Sequence, residues 1–187
     1  MINFRRTPLL VLVVVLLFVS ALVVVGSSQQ ATRTAGRKLL QVTGEVTVNG
    51  TAAVSGATVF SDSTVTTAAR SSAVVSLGKL GRVEVQPQTT MKLTFADDSV
   101  AVAMLDSGRV RVSSSSNVNS SVTTNDGHII STGNQRNEFI VDTSCGNTFI
   151  SVKKGTVELR AGDSVKQIAA GNQDTAGTAT PGCTPAP

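Results

Sequence analysis

The sequence predicts an all-β fold, an antiparallel two-layer sandwich or roll of about 12–14 short strands, preceded by one N-terminal membrane helix. Three observations predict it. The phrase Gly-x-Val-x-(Val/Leu) occurs four times, at Gly44–Val48, Gly81–Val85, Gly108–Val112 and Gly155–Leu159, each a turn glycine followed by period-two alternation. Turn pairs such as Asn49-Gly50, Asp97-Asp98, Asn125-Asp126-Gly127 and Gly162-Asp163 recur between short apolar stretches. Only one stretch, near the N-terminus, has the length and apolar character of a helix. An irregular β-solenoid is the alternative, although the four phrases start 37, 27 and 47 residues apart, too uneven for identical stacked coils.

Residues 1–26 form a membrane anchor or signal segment. Leu9 to Val25 is a run of 17 residues broken only by Ser20, with Arg5 and Arg6 before it. That is longer than a usual signal core and close to the length of a membrane span. The sequence therefore predicts a single-pass protein held at the membrane through residues 9–25, with its C-terminal domain outside the cytoplasm. The alternative is a secreted or periplasmic protein cleaved near Gly26. Residues 27–41 are polar and read as a linker.

The globular part follows. Candidate strands are Glu45–Val48, Ala57–Phe60, Ala73–Leu77, Arg82–Val85, Met91–Phe95, Val100–Leu105, Arg109–Val112, Val118–Thr123, His128–Ser131, Glu138–Asp142, Thr148–Lys153, Thr156–Leu159 and Val165–Ile168. Tyr and Trp are absent, so the core must be built from Val, Ala, Leu and Ile, a composition that favours strands. Residues 174–187 form a Gly/Thr/Pro-rich tail.

The net charge of +4 does not imply nucleic acid. Five of the 16 basic residues flank the apolar segment, which leaves 11 from Leu39 onward against 12 acidic ones. A domain balance of −1, with no aromatic platform, argues against a nucleic-acid partner.

Leu77 to Leu93, Leu105 to Val112 and Glu138 to Leu159 with Ala169-Ala170-Gly171 carry their glycines and strands in an order that resembles the FecR-like domain family. That is the extracytoplasmic β-domain of iron-dicitrate-type signal regulators. The resemblance covers residues 42–173 and lacks the cytoplasmic anti-sigma region, for which the seven residues before Pro8 leave no room. It implies a non-enzymatic protein that binds an extracytoplasmic protein or surface polymer, with an envelope signal relay as its setting. A structural envelope scaffold is the alternative.

Residues with chemistry of their own are few. His128 is the sole histidine, so it cannot build a multi-histidine metal site, and it reads as an exposed strand-start residue. No catalytic residue, cofactor or metal is expected. Ser151-x-x-Lys154 matches the motif of acyl enzymes that place serine and lysine on one helix turn, and a serine hydrolase using Ser151 and Lys154 is the third functional reading. In a strand, residues three apart point to opposite faces, which argues against it. Asp97 and Asp98 read as a solvated hairpin tip, and Asn49-Gly50-Thr51 and Asn119-Ser120-Ser121 as sequons, meaningful in a eukaryote.

Cys145 and Cys183 predict a disulfide, because two cysteines in an exported domain usually pair. It would pin the tail to the turn at Cys145-Gly146-Asn147; two free thiols are the alternative. Arg109 and Arg111 are the candidate partner-binding residues, two positions apart on one strand face and followed by the run Ser113 to Ser116, read as flexible. The competing role is that they only keep the sheet soluble.

Overall fold

The computed structural model describes residues 38–131 and 133–185. The stretch 1–26 read as a membrane anchor or signal segment, and residues 27–37 of the stretch 27–41 read as linker, lie outside them. No helix among the described residues is long and apolar enough to cross a membrane.

The fold is all-β, as the alternation predicts. In chain order the strands are β1 (Lys38–Thr43), β2 (Val46–Val48), β3 (Thr51–Ala52), β4 (Thr58–Val59), β5 (Ser63–Thr67), β6 (Ser72–Ser76), β7 (Gly81–Val85), β8 (Thr90–Phe95) and β9 (Ser99–Ser107). They continue as β10 (Arg109–Ser114), β11 (Asn119–Thr123), β12 (His128–Ser131), β13 (Asn137–Asp142), β14 (Thr148–Lys154), β15 (Thr156–Ala161), β16 (Ser164–Ala169) and β17 (Gln173–Ala176). An eight-stranded sheet runs β17-β14-β13-β10-β7-β6-β1-β4, and a nine-stranded sheet runs β16-β15-β12-β11-β9-β8-β5-β2-β3.

The two sheets form a sandwich because each strand has one apolar face to hide. From the eight-stranded sheet, Leu40, Val75, Val83, Val85, Val110, Val112, Phe139, Val141, Ile150 and Val152 point inward. From the nine-stranded sheet, Val65, Met91, Leu93, Val102, Leu105, Val122, Ile129, Val157 and Leu159 meet them in one cluster. Each such side chain, fully buried, stabilises the fold by about 1.5–3 kcal/mol.

The repeated phrase has a structural meaning. Gly44, Gly108 and Gly155 are corners where the chain leaves one sheet for the other, β1 to β2, β9 to β10 and β14 to β15. At Gly108 and Gly155 one residue makes the corner, with φ of 92° and 81°. A Cβ on Gly155 would lie 2.0 Å from Asn137 Oδ1, so both conformation and space require glycine. The Asn137 carboxamide in turn accepts the Thr156 N–H at 3.1 Å and fastens the corner.

The pairing is not wholly antiparallel. β11 runs parallel to β9, because β10 crosses to the other layer between them and the chain re-enters its sheet in the same direction. All thirteen expected strands form, with ends displaced by a few residues. Four further strands escape the alternation. β1 occupies residues 38–43, partly inside the stretch read as linker, because Leu40 is fully buried. β5 is Ser-Thr-Val-Thr-Thr, whose buried face is Ser63, Val65 and Thr67, so its period two is hidden by hydroxyl groups. Thr67 Oγ1 satisfies itself by donating to the Gln86 carbonyl at 2.6 Å. β3 has two exposed residues, and β17 starts at Gln173 and runs into the segment 174–187 read as tail, with one buried apolar residue, Ala176.

The disulfide forms between Cys145 and Cys183. Beside it Thr180 N–H donates to the Cys145 carbonyl at 2.8 Å, so the tail is laid against the β13–β14 turn.

Candidate functional site

The outer face of the eight-stranded sheet is where the charged positions of the repeated phrase converge. Strand register sets them in rows. One row across β6, β7, β10, β13 and β14 reads Ser76, Arg82, Ser113, Glu138, Lys154. The next reads Val74, Glu84, Arg111, Ile140, Ser151. Arg109 starts a third, opposite Asp142.

Within and between these rows charges of opposite sign meet. Arg82 Nε lies 2.9 Å from Glu84. Arg111 sits between Glu84 and Glu138, 3.7 Å from each. Lys154 Nζ lies 4.0 Å from Glu138, which extends the ladder over four strands. Arg109 Nε is 3.9 Å from Asp142, a buried carboxylate that also accepts the Ser144 N–H at 2.8 Å. Arg109 and Arg111 line a shallow depression with Gln86 and Ile140. Ile140 is 6 % exposed although it points away from the core cluster, as expected where long cationic side chains lie over an apolar residue.

Arg109 and Arg111 are therefore on one face, as the spacing predicts, but both are engaged with carboxylates of their own chain. The run after them is not a flexible loop. Ser113 and Ser114 belong to β10, and buried Ser114 joins a hydroxyl chain to Ser120 at 3.1 Å and on to Ser131 at 2.5 Å, linking the two sheets. Glu158, also in a repeated phrase, lies instead on the nine-stranded sheet, bonded to Arg160 at 2.5 Å.

One feature of β14 overturns the argument made from strand geometry about Ser151 and Lys154. A bulge between Glu138 and Phe139 sets Lys154 opposite Glu138 while Val152 pairs with Phe139, so Lys153 is the extra residue. The bulge turns Lys154 onto the same outer face as Ser151. Ser151 is nevertheless 4 % exposed, and Lys154 is directed to Glu138.

Along the first row a groove of about 370 Å³ opens, lined by Arg82, Ser113, Ser115, Arg136, Glu138 and Lys154 among others. Ser113 forms a low point because its neighbours in the row are long. Neither Arg136 nor this groove is evident in the sequence; the one readable signal is the Lys153-Lys154 doublet, which breaks the alternation of β14 and marks the bulge.

The remaining candidates stay apart. His128 is exposed and its Nδ1 lies 3.1 Å from Thr123 Oγ1. Asp97 and Asp98 are exposed between β8 and β9. The two sequon asparagines use Oδ1 to accept backbone N–H groups, Asn49 from Thr64 and Asn119 from Gly133. No group of three or more potential metal ligands occurs among the described residues.

No family model matches the chain, and no curated protein matches it. Two crystal structures of a candidate anti-sigma factor from Parabacteroides distasonis are similar to it, each at 18% identity and a TM-score of 0.49. The match covers 60% of this chain and 53% of that one, so the chain spans about half the length of that protein.

Proposed function

We propose that this chain is a non-enzymatic, exported FecR-like domain protein, anchored through residues 9–25, that binds another extracytoplasmic protein in an envelope signal relay. The observation that carries the reading is the concentration of charge of both signs on one sheet face, over Arg82, Glu84, Arg109, Arg111, Glu138 and Lys154. Ordered mixed charge on a rigid sheet gives a partner register and orientation more than raw affinity. The location rests on the apolar run and its flanking arginines.

A scaffold role is favoured by a different observation. Arg82, Arg109 and Arg111 each lie within 4 Å of a carboxylate of the same chain, an arrangement that also serves a face meant only to stay folded and wet. A photoreactive side chain at Ser76, on the rim of the charged face, separates the two when compared with one at exposed Ala103 on the other sheet. Binding through the charged face gives a discrete protein adduct in native envelopes from Ser76 and none from Ala103. Adducts from both positions alike, or from neither, would remove the binding reading.

A further inference from the structure

The groove at the Ser113 end of the charged face has a composition that the rest of the domain does not share. From Leu39 onward the domain has a balance of −1, yet the groove is lined by Arg82, Arg136 and Lys154 with Glu138 as its one acid, Arg82 also meeting Glu84 beside the groove at 2.9 Å. Two of these cations keep most of their side chains in solvent, Arg82 at 54% and Lys154 at 62%. Arg136 is exposed and makes no ion pair among the described residues. Lys154 reaches this face only because of the bulge in β14, a device that re-aims a side chain at the cost of ladder regularity. Below them the Ser113 hydroxyl is shielded from solvent and has no hydrogen-bond partner among the described residues.

From this arrangement we infer that the groove receives an acidic peptide segment of the partner, with side-chain carboxylates set between Arg136, Arg82 and Lys154. The inference deepens the binding reading and rests on it. Guanidinium forks match planar carboxylates and give them direction, whereas an ammonium adds charge alone. Glu138 shapes the choice of ligand. Its carboxylate disfavours a dense phosphate chain by like-charge repulsion, while a peptide can present backbone N–H groups to it and to the Ser115 hydroxyl. No aromatic side chain lines the groove among the described residues, so a sugar ring has nothing to stack on.

The test uses the full chain in neutral detergent and labelled hexaglutamate, read by fluorescence anisotropy. Saturable binding is expected, weakening as salt screens the charges. Arg136→Gln with Lys154→Gln should weaken it at least tenfold, while Lys92→Gln with Lys166→Gln, cations of the nine-stranded sheet, should leave it unchanged. Arg136→Glu alone, at an exposed position, serves if the double variant fails to fold, and should also reduce binding several-fold. Absence of hexaglutamate binding, equal loss in both double variants, or displacement by equimolar inorganic tripolyphosphate would overturn the inference. Should that happen while the Ser76 probe still captures a protein, the acidic-peptide assignment falls and the binding reading stands. If Ser76 also captures nothing, both fall.

Discussion

The two sheets share one core and solve the problem of their outer faces differently. On the nine-stranded sheet a row across β8, β9, β11, β12 and β15 reads Thr94, Ala101, Ser121, Ile130, Glu158, small or neutral but for its last member. On the eight-stranded sheet the comparable row reads Val74, Glu84, Arg111, Ile140, Ser151, and the row beside it holds Arg82, Glu138 and Lys154. Threonine and serine are sufficient to keep a β-face wet. The continuous ladder of charges is thus a feature of one face, whereas the other carries isolated pairs such as Lys92–Asp62 and Arg160–Glu158, and the recognition proposed for the ladder rests on that difference.

The most damaging way to disturb the eight-stranded sheet while sparing the other is to open the disulfide at the β13–β14 turn. Cys145→Ser with Cys183→Ser should cost about 4 kcal/mol in the chain-entropy account of a loop of this length. Urea unfolding of oxidised, reduced and double-serine protein measures it, and coincident midpoints would mean that the tail contributes nothing. Next comes the corner between the sheets. Gly155→Ala places a methyl against Asn137 at positive φ and should cost about 3 kcal/mol, while Gly162→Ala, at a turn with open space around it, should cost about 1 kcal/mol.

Charge reversal then sharpens the contrast between the faces. Arg111→Glu would stand between Glu84 and Glu138 and should destabilise by about 1–2 kcal/mol, exposed pairs being worth up to about 1 kcal/mol each. Glu158→Arg on the other face disturbs one exposed pair with Arg160 and should change stability by less than about 0.5 kcal/mol. Thermal melting of the two variants reads the difference. Similar shifts for both would mean that the ladder is no more than ordinary surface charge.

How far the sequence shows this is itself uneven. Strands with valine on one face and charge on the other, such as β7 and β10, are legible because the period of two survives in both polarity and size. β5 is not, since its inward threonine and serine carry the same polarity as its outward ones, and a buried hydroxyl is distinguishable only by the partner it finds across the sheet. Which strand joins which sheet is also hidden, because a glycine corner such as Gly108 looks like a hairpin turn until its neighbours are placed. At the candidate site the face of Arg109 and Arg111 follows from their spacing. Their acid partners do not, as Glu84 and Glu138 are brought to Arg111 by register alone. The four-serine run concealed the rest, reading as loop where β10 continues through Ser114.

Those internal partnerships are also what make a decisive experiment available. Inverting the whole ladder at once, Arg82→Glu, Glu84→Arg, Arg111→Glu, Glu138→Arg and Lys154→Glu, keeps every ion pair among these residues while reversing the pattern shown to a partner. If the face exists for recognition, the inverted protein melts within a few degrees of the original and the Ser76 probe no longer captures its partner in native envelopes. Capture undiminished in a folded, inverted protein would contradict the assignment of this face to binding.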